Sequence, residues 1–264
     1  MRRNAASYAY LLAVASLVVI LNWTFRRYDV IHPDQFLNVV FLGLAAALLN
    51  GPQVRIEKRR LSLSGIATGA AALLINPLNA TLIGIASSAS FVGRGRYGIL
   101  ANAAFAAASG CVGSILANWL RTQIGLGVGP RLLVLAVSFS VNLVLVALVF
   151  RIRLGETISS VLRNNFTPSF YLAFGYFALA ALLISYVLDG SPLGYLLASS
   201  VCVLALALTD TIAGRRVRRV LESELSDADR HLFHSRAVEG VVHQSHGKRS
   251  RLFEGDRPAT PGSC

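Results

Sequence analysis

Lysine is nearly missing from this chain: of 25 basic residues only Lys58 and Lys248 are lysines, and the rest are arginine. Acidic residues are scarce as well, 13 in 264. Asp210 is the one carboxylate inside an apolar run. Without a second one, a paired acid–base site, a proton relay and a membrane-embedded metal centre all lack material. The three cysteines, Cys111, Cys202 and Cys264, show neither pairing nor metal-ligand spacing, so no disulfide framework is expected. No Gly-rich phosphate loop follows a strand, and no Ser-x-x-Lys or Gly-x-Ser-x-Gly is present. The sequence therefore nominates no catalytic residue, no metal site and no cofactor.

What is abundant is apolar. Hydrophobic residues make up 54% of the chain and charged residues 14%, with a mean hydropathy of +0.57. Such a composition is far too apolar for a soluble domain and fits a polytopic membrane protein. The net charge of +12 sits mostly beside apolar runs, where orientation and anionic lipid headgroups explain it without nucleic acid. The expected fold class is all-α: a transmembrane bundle of about six full spans plus a broken or re-entrant hairpin over residues 1–214. A cytoplasmic exit helix and a disordered tail are expected over residues 215–264.

The organising stretch runs from Arg59 to Arg96. About thirty uncharged residues lie between its basic ends, enough for a helix of roughly 45 Å against about 30 Å of hydrocarbon. Asn76-Pro77 breaks it in the middle, because proline removes a backbone donor and crowds the preceding turn. Either the stretch crosses once, tilted and kinked, or it folds into a hairpin of two arms of about fifteen residues that returns to its starting side. Charge chooses between them. A single crossing, with the N-terminus inside, leaves eight basic residues inside and eleven outside, against the positive-inside rule. A hairpin leaves fifteen inside and only Arg26, Arg27, Arg121 and Arg131 outside. The hairpin is expected, with both termini cytoplasmic and its tip part of the way through the bilayer.

The remaining spans are read as Ala5–Leu21, Phe36–Leu49, Tyr97–Leu120, Leu132–Phe150, Pro168–Leu188 and Leu193–Ala213. Trp23 follows the first span where a signal peptide would have a cleavage site. Val54–Arg60 reads as a basic connector, and Arg151–Asn165 as an amphipathic surface helix. Gly65 and Gly69 form a small-xxx-small face for a close helix neighbour. Beyond Arg230 the polar tail has too little apolar material for a core.

Asn76 and Asn79, at the break, are the first ligand-binding candidates, since exposed backbone and carboxamides at a helix break can hold a small ligand. The simpler alternative is that they cap the broken helix ends. Asn102 and Asn142 lie within spans, where an unpaired amide is costly, and either bind a ligand or join helices. Asp210 has Arg215 and Arg216 as nearby partners. His231-x-x-His234 and His243-x-x-His246 have ligand-like spacing but no supporting cysteine or carboxylate pattern, so a solvated tail is the simpler reading.

Several of these features resemble one kind of module. They are Arg59-Arg60-Leu61-Ser62, the broken span at Asn76-Pro77-Leu78-Asn79-Ala80, Asn102-Ala103-Ala104 and Val141–Leu148. Arg163-Asn164-Asn165-Phe166 before Pro168 and the arginine-rich exit at Arg215–Arg219 complete the set. Together they resemble the multi-span membrane input region of bacterial signalling proteins that carry GGDEF or HD-GYP catalytic domains. Here some forty-five residues follow the exit, with no Gly-Gly-Asp-Glu-Phe and no His-Asp pair. The resemblance therefore implies a non-enzymatic sensory or scaffolding protein of the inner membrane. Its partners would be lipids and a second copy or a cytoplasmic signalling protein met through Arg215–Glu224. The chain is also similar to substrate-binding membrane subunits of energy-coupling-factor vitamin transporters, which implies the alternative of a small-molecule uptake subunit.

Overall fold

The computed structural model describes residues 2–28, 35–50, 53–56, 59–88, 95–155, 157–165, 168–188 and 191–208. Nine helices carry nearly all of these: α1 (Arg2–Thr24), α2 (Phe36–Leu49), α3 (Ser64–Leu74), α4 (Pro77–Ala86) and α5 (Arg96–Gln123). They continue with α6 (Val128–Leu154), α7 (Ile158–Asn165), α8 (Pro168–Val187) and α9 (Pro192–Leu208). By length and composition α1, α5 and α6 are long and apolar enough to cross a membrane; the other apolar helices are shorter. Among the described residues these three account for half of the six full spans expected. The stretch read as a basic connector forms an antiparallel ribbon, β1 (Gln53–Ile56) with β2 (Arg59–Ser62), Arg55 opposite Arg60. Asp210, Arg215–Glu224 and the tail histidines lie outside the described residues.

Pairwise neighbours fix the helix directions. Ser138 of α6 lies against Ser109 of α5, and Arg153 of α6 against Tyr97 of α5, so these two helices run antiparallel. Arg131 bonds Ser185 while Phe139 stacks on Phe174, so α8 runs against α6 and with α5. Gly65 faces Phe139 and Phe177, and Gly69, one turn on, faces Leu135 and Ala181, so α3 runs with α8. On α4 the order reverses: Ala80 packs on Gly110 and Gly84 on Ala106, so α4 runs against α5. The arms α3 and α4 are therefore antiparallel, joined at Ile75-Asn76. They are shorter than expected, 11 and 10 residues.

The bundle has two unlike ends. One holds the starts of α1 and α5, the β-ribbon, the end of α6, and α7. The other holds the hairpin tip, the Ile124–Gly127 turn and the start of α9. Tyr195 of α9 donates to Asn38 Oδ1 of α2 at this tip end, at 2.6 Å. At the opposite end of α2, the Ser62 hydroxyl donates to Asn50 Oδ1 at 2.8 Å and ties β2 to it. Gly155, at φ 73°, ends α6 in the left-handed conformation that lets glycine close a helix, and splits the expected surface helix so that only α7 stands apart.

Small residues set the core. Ala67, Ala70, Ala71 and Ala72 of α3 are fully buried with Leu135, Ala181 and Ile184 around them. A Cβ on Gly84 would stand 2.6 Å from the Ala106 backbone, and one on Gly110 2.8 Å from the Ala80 carbonyl oxygen. Helices can approach this closely only where a side chain is missing, and in lipid such packing replaces the hydrophobic drive. The expected Gly65/Gly69 face does receive neighbours, but the tightest contact is between α4 and α5.

Candidate functional site: the hairpin tip

Breaking a helix inside a bundle frees backbone groups that must find partners. At the start of α4, Pro77 occupies the first position, where its missing N–H costs nothing. Asn76 Oδ1 accepts from the Asn79 N–H at 2.8 Å, and the Asn76 carbonyl from the Ala80 N–H at 2.9 Å. Asn76 is thus the N-cap, and Asn79 contributes its backbone to that cap.

The end of α3 is served by α5. The Ser114 hydroxyl donates to the Ile75 carbonyl. Arg121 donates through Nη2 to the Leu73 carbonyl at 3.0 Å and through Nη1 to Asn118 Oδ1 at 3.3 Å. Asn118 Nδ2 in turn donates to the Ser114 carbonyl at 2.9 Å. A cation at a helix C-terminus also opposes the negative end of the helix dipole. Ser114, Asn118 and Arg121 recur at i, i+4 and i+7, one polar stripe on an apolar helix. That spacing is the sequence signal from which this side of the site could have been read.

A second polar cluster holds the other flank of α4. Asn22 Nδ2 of α1 donates to Thr81 Oγ1 at 3.1 Å and to the Val18 carbonyl at 2.9 Å, and lies 3.5 Å from Cys111 Sγ. The Thr81 hydroxyl donates to the Pro77 carbonyl at 2.8 Å. Two buried side-chain atoms here have no hydrogen-bond partner, Asn76 Nδ2 and Asn22 Oδ1. Asn22 was not among the sequence candidates, although an asparagine within an apolar run was the available clue.

Of the four candidate asparagines, the structure brings Asn76 and Asn79 together, both buried. Asn102 and Asn142 are half-buried and make no hydrogen bond among the described residues. Asn102 lies twelve residues along α5 from Ser114, about 18 Å towards the opposite end of the bundle. Asn142 is one turn past Ser138, in the same direction. A single four-asparagine site does not form, because helix rise separates residues that the sequence could only count.

The tip can recognise by hydrogen bonding and by positive charge. All thirteen acidic residues fall outside the described residues, so no carboxylate serves the site within them. No group of three His, Cys, Asp or Glu able to hold a metal ion occurs among the described residues. No family model, curated protein or solved structure matches this chain.

Proposed function

We propose that the chain is a non-enzymatic, multi-pass protein of the bacterial inner membrane acting as a sensory or scaffolding module. In this reading α1, α2, α5, α6, α8 and α9 cross, α3 and α4 form a re-entrant hairpin, and both termini are cytoplasmic. At 14 residues, or about 21 Å, α2 crosses with help from its flanking segments and local bilayer thinning. Signal leaves through the segment Arg215–Glu224 after α9, towards a second copy or a cytoplasmic partner.

The observation that carries the reading is the direction reversal between α3 and α4, taken with charge. It gathers Arg2, Arg3, Arg55, Arg59, Arg60, Arg96, Arg151, Arg153 and Arg163 at one end of the bundle. Arg26, Arg27, Arg121 and Arg131 are at the other. Two of these four are occupied with backbone carbonyls of helix ends, Arg121 with Leu73 and Arg131 with Ser185. That asymmetry is what the positive-inside rule asks of a bundle whose ribbon end is cytoplasmic. The tip stands beside Ser114, eighteen residues or about 27 Å along α5 from Arg96, so it approaches the outer face.

Fusion of the chain through Arg219 to a reporter cyclase tests the role. Output that changes with substitutions at the hairpin tip supports it, and output indifferent to all of them removes it. The uptake-subunit alternative draws on the unpartnered Asn76 amide, which suits a bound small molecule. It requires an ATPase partner on co-purification in mild detergent.

A further inference from the structure

We propose that the hairpin tip binds one oxyanion, a phosphate or carboxylate group, on the first turn of α4. The inference rests on the hairpin being the ligand-meeting part of the bundle, and it names the chemistry of that ligand. Helix α4 is ten residues long and presents its positive dipole end here, which favours an anion by charge and not through backbone donors, since Pro77 has no N–H and the Asn79 N–H is taken by Asn76 Oδ1. By itself such a terminus is only a helix start. The second observation is Asn76: 4% exposed, its carboxamide held at this turn by Oδ1, and its Nδ2 without a partner. Two buried N–H donors with nothing to bind are a standing cost, and an anion at the turn would remove it.

The adjacent end of α3 would ordinarily repel that anion with its free carbonyls. Ser114 takes the Ile75 carbonyl and Arg121 the Leu73 carbonyl, so two of the last four carbonyls are occupied and the guanidinium sets a positive charge against that end. Arg121 uses two of its five N–H donors in the bonds to Leu73 and Asn118, which leaves three for a ligand. The described residues include no carboxylate to compete for any of these donors. Phosphate from solution and the phosphate of an outer-leaflet lipid headgroup offer the same chemistry.

Thermal unfolding of the full chain in neutral detergent separates the sources. One arm titrates sodium phosphate against sodium chloride at matched ionic strength; the other titrates short-chain phosphatidylglycerol against phosphatidylcholine. Binding appears as a saturable rise of the midpoint, roughly 3–6 °C at ten times the dissociation constant. A rise with phosphate identifies a soluble anion, and a rise with phosphatidylglycerol alone identifies the headgroup. Asn76→Asp and Asn76→Ser both keep a cap oxygen and remove the free amide, so the rise is lost while the unliganded protein stays folded. No rise over the matched controls with either probe overturns the site, as does an undiminished rise in both variants. Binding is read here without any reporter. A silent cyclase fusion would therefore remove the sensory role and leave the site, whereas a missing shift would remove the site and leave the role open to its own test.

Discussion

The Arg121 guanidinium donates to the Leu73 carbonyl at 3.0 Å across forty-eight residues of chain, and this bond holds the end of α3 on α5. Without it a helix end inside the bundle keeps an unpaired carbonyl. Arg121→Ala should therefore lower stability by about 1.5–3 kcal/mol, the range for a hydrogen bond to a charged group. Arg121→Lys, with a point charge in place of a planar fork, should recover part of it. Unfolding in a denaturing-detergent titration reads both.

Glycine substitutions should divide by the space each Cβ would meet. At Gly110 and Gly84 an added methyl strikes α4 or α5 backbone at 2.8 and 2.6 Å. Gly110→Ala and Gly84→Ala should each cost roughly 1–3 kcal/mol, the usual range for overpacking. At Gly65 the nearest atoms are Phe177 and Phe139 ring carbons at 3.6–3.7 Å. Gly65→Ala should be neutral or stabilising by up to about 1 kcal/mol, from helix propensity. A loss at Gly65 equal to that at Gly110 would contradict the packing.

Asn22 and Thr81 should couple weakly. Their 3.1 Å hydrogen bond joins α1 to α4, while Thr81 keeps its own bond to the Pro77 carbonyl. A double-mutant cycle with Asn22→Ala and Thr81→Val should give about 0.6 kcal/mol, typical of side-chain hydrogen bonds between membrane helices.

The two outlying asparagines should be separable from the tip. Asn102→Ala and Asn142→Ala are expected to leave both stability and reporter output near the parent level, since neither bonds to a neighbour among the described residues. Asn76→Ala removes the α4 cap and should cost about 1 kcal/mol. Equal effects at all three positions would argue for a shared pocket after all.

Topology can be read by labelling single cysteines in a chain with its own three replaced. Gly95→Cys and Thr157→Cys, both at exposed positions of the ribbon end, should react only from the cytoplasmic side. Gly127→Cys, exposed in the turn between α5 and α6, should react from outside. Reaction of positions 95 and 157 from outside, with position 127 reacting from the cytoplasmic side, would end the hairpin reading.

Residue chemistry alone determined the class of this protein and the place where its longest apolar stretch breaks. Composition excludes a soluble core, and Asn76-Pro77 interrupts a helix wherever it stands, because proline lacks the N–H and asparagine supplies a cap. Charge counting pointed to a hairpin because arginine is costly in lipid on either route, and only one route keeps most of it on one side. The tertiary structure decided which groups meet. Periodicity can place Ser114, Asn118 and Arg121 on one face of α5, but no local rule says that the face lies against the carbonyls of Leu73 and Ile75. It likewise decided that Asn102 and Asn142 stand apart from Asn76, and that Asn22 belongs beside Thr81. Helix rise and close approach at glycine, not residue type, set those distances.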